Sequence, residues 1–197
     1  MIEKHPLELP DWDWHDMIDS CLQSTETHHT NADSLEHVAK QFLGIGNQQE
    51  HDKLMQQVHT LRSTYDLTRT EWDFYDGGFH FQDDRPKQIA TLLGQQLLSY
   101  DVSRIQPGYI APWHQDPIVL NDPSIQRWTV TITEPVKGQF VQVEDTVIVM
   151  PKRNTLYRWR DPLAEHGAVN FSMQDYWLLH LLTAPEGFRL PEDARGF

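Results

Sequence analysis

The residues best placed to do chemistry lie in the run Pro107-Gly108-Tyr109-Ile110-Ala111-Pro112-Trp113-His114-Gln115-Asp116. On an extended strand, side chains two positions apart project from one face, so His114 and Asp116 can reach the same ion. A second histidine, His166, stands 52 residues further on, in Asp161-Pro162-Leu163-Ala164-Glu165-His166-Gly167. Two imidazoles and one carboxylate on one face of an octahedron leave the other positions open. That donor set suits Fe(II) in oxygen chemistry. Ligand type alone does not fix the metal, and Zn²⁺ or Mn²⁺ accepts the same donors. His114, Asp116 and His166 are therefore the expected metal ligands and the expected catalytic centre.

Several neighbours compete for roles around them. His180, in Leu178-Leu179-His180-Leu181-Leu182, sits in an apolar strand and reads as a satisfied core histidine. His80 stands beside aromatic residues, where it can line a pocket. Asp161 and Glu165 are expected to orient the second ring nitrogen of His166, a usual role for a nearby carboxylate. Asn170 reads either as a polar strand end or as a hydrogen-bonding group in the pocket. Tyr109, Trp113, Trp128 and Trp159 are candidates for core packing or for the pocket wall. The glycines and aromatics of residues 72–80 suggest a lid.

The elements that must position these groups change character along the chain. Residues 1–99 read as a helical region bracing a β-rich remainder. Asn31-Ala32-Asp33-Ser34 offers capping side chains, and Leu35, Val38, Ala39 and Phe42 come next at helical spacing, up to Gly44 and Gly46. A second helix is predicted over residues 49–65, with Leu54, Val58, Leu61 and Tyr65 on one stripe. A short hairpin or ordered loop is predicted over residues 71–81, around Asp76-Gly77-Gly78. Asp84 is positioned to cap a third helix with Pro86 in its first turn, carrying Ile89, Leu92, Leu93 and Leu97 inward. From Tyr100 the period becomes 2. Strands are predicted over residues 100–106, 109–113, 126–133, 140–143, 146–149, 155–159, 168–171 and 176–183. Short strands at roughly ten-residue spacing point to a sandwich or closed barrel rather than a parallel α/β sheet. The economical reading is mainly β with N-terminal helices: a double-stranded jelly roll over residues 100–197.

Composition bounds the partners. The 197 residues are enough to bury a core without disulfides, and the single Cys21 cannot build a disulfide framework. Sixteen Lys and Arg stand against 29 Asp and Glu, a net charge of −13, with no basic stripe. Phosphate backbones are held by clustered cations, so nucleic acid is not expected as a main partner. No apolar run is long enough to span a bilayer or serve as a signal sequence, and the chain reads as soluble and cytoplasmic. A small molecule or a protein side chain is the expected substrate class. Oligomeric state is not legible.

Taken in order, Arg104-x-x-Pro-Gly-x-x-x-Pro-x-His114-x-Asp116, then Arg127, a Trp-containing strand and His166-x-x-x-Asn170 resemble the Fe(II)/2-oxoglutarate-dependent dioxygenases. Within them the order is most similar to the aspartyl/asparaginyl β-hydroxylase-like and prolyl-hydroxylase-like branches. The resemblance covers about residues 99–183. It implies a double-stranded β-helix, Fe(II), 2-oxoglutarate as cosubstrate, and hydroxylation with release of succinate and CO₂. Those families carry a basic residue about ten positions after the distal histidine to pair with the far carboxylate of 2-oxoglutarate. Here the stretch is Gln174-Asp175-Tyr176-Trp177-Leu178, without Arg or Lys. Arg127 is the substitute expected from its strand, with Thr129 and Tyr176 as added donors, Asn170 as a pocket group and Arg104 as a second cation. Two other readings stand beside this one. Gly108, His114 and His166-x-x-x-Asn170 also resemble the cupin signatures, which implies a metalloenzyme that does not use 2-oxoglutarate. The other is a non-catalytic jelly-roll binding protein.

Overall fold

The structure, a computed structural model, describes residues 1–24, 28–30, 56, 72–78, 81–116 and 122–189. Two antiparallel sheets carry the molecule. The larger runs, in spatial order, β1 (Ile2–Glu8), β9 (Thr155–Trp159), β6 (Gln126–Thr131), β11 (Tyr176–Pro185), β4 (Gln95–Ile105), β3 (Trp72–Asp76) and β2 (His28–Thr30). The smaller runs β5 (Ile110–His114), β10 (His166–Asn170), β7 (Gln139–Val143) and β8 (Thr146–Val149). From β4 onward the chain passes back and forth between them: β4, β6, β9 and β11 lie in the larger sheet, and β5, β7, β8 and β10 in the smaller. That winding is a double-stranded β-helix.

Strict alternation sorts the side chains of the larger sheet into two cores. On its inner face Ile105, Tyr176 and Leu178 meet Ala111, Val141 and Ala168 of the smaller sheet. Nearer β1, the residues Ile2, Tyr157 and Trp159 meet Val143 and Ala164. On its outer face Tyr75, Val102, Trp128, Val130, Trp177 and Leu179 are covered by α1 (His15–Gln23) and α2 (Arg85–Leu92) through Met17, Cys21 and Ile89. Burying side chains such as Met17 and Ile89 contributes about 2 kcal/mol each. Cys21 behaves as the small buried hydrophobe its setting suggests, and burial pushes its thiol up to about 12.

The N-terminal part differs from the helical reading. Ile2–Glu8 pairs with β9, and Trp72–Asp76 pairs with β4, so both extend the larger sheet. β1 is an edge strand with most side chains partly or fully in solvent, which removes the apolar alternation that marks a strand in sequence. Its Pro6 is tolerated because an edge strand has ladder positions that need no N–H. α2 begins one residue after Asp84 with Pro86 in its first turn, as expected, although the Asp84 side chain makes no capping hydrogen bond. Leu97 lies in β4 rather than on that helix. The helices predicted over residues 34–43 and 49–65 fall outside the described residues, as do Phe79 and His80. No helix among the described residues is long and apolar enough to cross a membrane.

Candidate metal centre

His114 closes β5 and His166 opens β10, and the two strands pair with His114 directly opposite His166. The register brings the imidazoles to a centroid separation of 4.3 Å. Asp116, just past the end of β5, turns its carboxylate between them: Oδ1 lies 3.3 Å from His114 Nε2 and Oδ2 lies 3.5 Å from His166 Nε2. One donor atom from each residue falls within 4.8 Å of the others. Gly167 permits the approach, because a Cβ there would stand 2.9 Å from the Ala111 carbonyl oxygen and 3.3 Å from Trp113 N.

Hydrogen bonding sets the tautomers. His114 Nδ1 lies 2.6 Å from the Pro112 carbonyl and His166 Nδ1 lies 3.1 Å from the Ala164 carbonyl. A carbonyl only accepts, so both Nδ1 atoms carry the proton and both Nε2 atoms present lone pairs toward Asp116. The sequence assigned this orienting role to Asp161 and Glu165. Backbone carbonyls perform it instead, while Asp161 accepts from Leu163 N at 2.9 Å and Glu165 from Trp113 Nε1 at 2.7 Å.

The charges fit a cation. Burial would push the Asp116 carboxyl up, but the Arg127 charge opposes it and holds it well below the usual carboxylate range. Burial, together with His114 and Arg127, drives His166 well below its ordinary value despite Asp116, so its ring is neutral. Two imidazole nitrogens and a carboxylate within reach of one point match a divalent ion that takes nitrogen and oxygen donors. The rings are wedged by aromatics: Trp72 lies 4.9 Å from His114 and Trp159 lies 4.7 Å from His166.

An open pocket leads to these three residues. Ile105, Ala111, Val141, Ala168 and Leu178 give it an apolar floor, and Trp72 and Phe74 of β3 flank it. The segment predicted as a hairpin or loop thus supplies a strand and part of the wall. The polar wall consists of Asp101, Ser103, Arg127 and His180.

Of the expected cosubstrate groups, Arg127 alone lines the pocket. It is only 5% exposed, its Nη2 is ion-paired to Asp116 Oδ2, and its guanidinium lies 4.0 Å above the Trp159 ring. Its Nη1 is buried without a hydrogen-bond partner. Thr129 lies one layer behind: its hydroxyl accepts from Trp159 Nε1 at 2.8 Å and meets His180 Nδ1 at 3.0 Å. Tyr176 is sunk in the core between the sheets, where burial pushes its hydroxyl far up against the influence of the Thr131 hydroxyl. Asn170 ties down a turn. Its amide donates to the carbonyls of Ile105 and Gln174, both at 2.7 Å, and its oxygen accepts from Ser172. Arg104 is on the outer face, paired with Asp73 and Asp175 and lying over Trp177, because its position in β4 is out of phase with Asp101, Ser103 and Ile105.

His180 and Asp101 are the pocket residues that sequence reasoning missed. They are cross-strand partners on β11 and β4. Burial, helped by the Arg127 charge, lowers His180 to about 3, so its ring is neutral. Burial raises the Asp101 carboxyl well above the usual carboxylate range, against the opposing charge of Arg127 and with Asp116 and Asp76 adding. The flanking leucines of His180 hid its orientation, since neither composition nor period tells which face of a doubly buried strand looks into a cavity.

No family model and no curated protein matches the chain. Solved structures with a similar fold include the collagen prolyl hydroxylase of Paramecium bursaria Chlorella virus-1 bound to 2-oxoglutarate. That likeness has 13% identity over 93% of this chain and 95% of that one, with a TM-score of 0.44. A cupin domain from Bordetella pertussis shares 14% identity over 45% of this chain and 90% of its own, with a TM-score of 0.33. An oxidoreductase of the 2OG-Fe(II) oxygenase family from Burkholderia pseudomallei shares 12% identity over 52% of this chain and 51% of its own, with a TM-score of 0.37.

Proposed function

We propose that the chain is a cupin-fold metalloenzyme of the oxygenase kind, an Fe(II)- and 2-oxoglutarate-dependent dioxygenase that hydroxylates a C–H bond of a small molecule or protein side chain. One observation carries the reading. His114, Asp116 and His166 converge with their lone pairs already turned inward, at the end of a pocket with an apolar floor. Bound there, Fe(II) would let O₂ oxidise both 2-oxoglutarate, to succinate and CO₂, and the substrate C–H bond, to an alcohol, with one oxygen atom going to each.

The chain's own part is ligation, orientation and exclusion of water. Nε2 of His114, Nε2 of His166 and a carboxylate oxygen of Asp116 would hold the ion. The Pro112 and Ala164 carbonyls keep each imidazole in its ligating tautomer. Arg127 fixes the Asp116 carboxylate by an ion pair and presents positive charge to the pocket. Trp72, Phe74 and the aliphatic floor exclude water around a C–H bond held near the ion.

The test is spectroscopic and chemical. Anaerobic addition of 2-oxoglutarate to the Fe(II)-loaded protein is expected to produce a metal-to-ligand charge-transfer band, and oxygen then to yield succinate. Stoichiometric iron with neither band nor succinate overturns the cosubstrate. A second reading, a cupin metalloenzyme without 2-oxoglutarate, has one observation in its favour: Arg127 already spends one guanidinium nitrogen on Asp116.

A further inference from the structure

We propose that the open edge of β8 is a self-association surface, on which β8 of a second copy of this chain pairs antiparallel and joins two four-stranded sheets into one. The pairing depends on neither the metal nor the cosubstrate.

β8 closes the smaller sheet, with β7 on one side and no described strand on the other. Its phase tells which backbone groups face that edge. Val143 pairs with Thr146 across the two-residue turn Glu144-Asp145, and a closing pair of this kind exchanges both hydrogen bonds. Bonded and non-bonded pairs then alternate, so Ile148 bonds to Val141, and Met150 N reaches the Gln139 carbonyl at 2.9 Å. The N–H and C=O of Val147 and Val149 therefore point to the open edge. Both side chains are well exposed, Val147 by 48% and Val149 by 67%. Two other edges are guarded. β1 carries Pro6, the charged Glu3, Lys4 and Glu8, and a register shift between Lys4 and Glu8, while β5 carries Pro112. Such features blunt pairing with a further chain. In β8 the run Thr146-Val147-Ile148-Val149 has no charge and no proline, and its register with β7 is continuous.

The strand's symmetry about Ile148 makes a second copy the fitting partner. Antiparallel pairing centred there sets Val147 opposite Val149 of the other copy, and Val149 opposite its Val147. Both are hydrogen-bonded pairs, each flanked by a valine–valine contact on one face. The same patch serves both copies, as a two-fold contact requires. Centring on Val147 instead would draw in the turn residue Asp145, and centring on Val149 would draw in Pro151, which has no N–H. The charges agree with the Ile148 register. Glu144 and Asp145 precede the strand and Lys152 follows it, all three exposed, with Met150 (φ 50°) and Pro151 closing the strand. The two-fold lays the acidic end of each copy beside the basic end of the other. That offsets part of the repulsion between chains of net charge −13. An unrelated strand would find the same backbone groups, but not this match of ends.

The test is sedimentation equilibrium of the full chain from micromolar to millimolar concentration, because so short an edge buries less than a standard interface and gives a weak dimer. A monomer–dimer equilibrium is expected, with the Val147 and Val149 amides protected from hydrogen exchange only at the dimeric end. Val149→Pro removes an edge N–H from each copy while leaving the bonds to β7, and is expected to weaken the dimer about tenfold or more. Glu144 already holds the Met1 amine, so the charge test uses Asp145. Asp145→Lys and Lys152→Glu each set like charges together and are expected to weaken the dimer about two- to fivefold. Mixed with each other, these two variants are expected to form a heterodimer of wild-type strength, since each supplies the charge that the other lacks. Both positions are exposed, so the charge test stands even if Val149→Pro fails to fold. A monomer over the whole range overturns the proposal. A dimer that all three variants leave unchanged also overturns it, by placing the contact on another surface. Uptake of a labelled, unrelated extended peptide at β8 by a protein that stays monomeric would assign the edge to a different chain, and overturns it too.

Discussion

Removing His166 and removing Asp116 have different costs, because only Asp116 is also the counter-ion of a buried guanidinium. His166→Ala is expected to abolish stoichiometric Fe(II) binding and leave the metal-free protein folded. Asp116→Ala abolishes it too, but leaves Arg127 buried and unpaired, at a cost of about 3 kcal/mol or somewhat more. The lower end of the usual range applies since Asp116 is 32% exposed and water can reach the vacated space. Iron content after reconstitution and urea unfolding of the metal-free variants check both; equal stability losses would show that Arg127 does not depend on Asp116. The closeness of His114 and Asp116 was legible because two positions along an extended run point the same way, while the approach of His166 came from the pairing of β10 with β5. The pocket's polar wall was not legible. Arg104 stood as a second cation behind Arg127, and the phase of β4 against β6 sends it to the helix layer and Arg127 to the pocket.

At the scale of elements, the β5–β10 contact is the joint on which the site depends. Gly167→Ala inserts a Cβ 2.9 Å from the Ala111 carbonyl, and because the obstacle is backbone, the strands must separate. Overpacking of this kind costs about 1–3 kcal/mol, and displacing His166 from His114 weakens metal binding about tenfold or more. Calorimetric titration with Zn²⁺ as a redox-silent probe, beside thermal unfolding, measures both; unchanged affinity with a lowered melting temperature would mean that the strands yield elsewhere. Most strands after residue 100 were readable from alternation, with β8 and β9 bounded by turns as the sequence predicts. β1 and β3 were not, for opposite reasons. β1 is an edge strand largely in solvent, and Trp72–Asp76 is buried on both faces, so neither alternates. Leu97 fits a helical stripe and a strand equally well, and the pairing of β4 with β11 decides for the strand.

For the molecule as a whole, acid stability reports the buried histidines. His180 has a folded value near 3 against an unfolded value near 6.5. Between those limits the unfolded chain binds a proton that the folded one refuses, so stability is intact above about pH 6.5 and falls as pH drops toward 3. His166 acts in the same direction, and Asp101, raised when folded, acts against them at the acid end. His180→Leu is therefore expected to flatten the acid limb of the metal-free protein by about 1.4 kcal/mol per pH unit. Denaturant midpoints between pH 7 and 4.5 give the slope, and parallel curves would show that His180 is charged in the fold. The pairing of Arg127 with Asp116 has one more effect at this scale. A cation drawing on the Asp116 carboxylate loosens its hold on the guanidinium, which frees Arg127 for an anion in the pocket. By reciprocity, that anion strengthens the grip on the cation by the same factor. If the proposed function holds, one carboxylate shared between two claimants would make the binding of metal and of organic acid cooperative, with no movement of the barrel required.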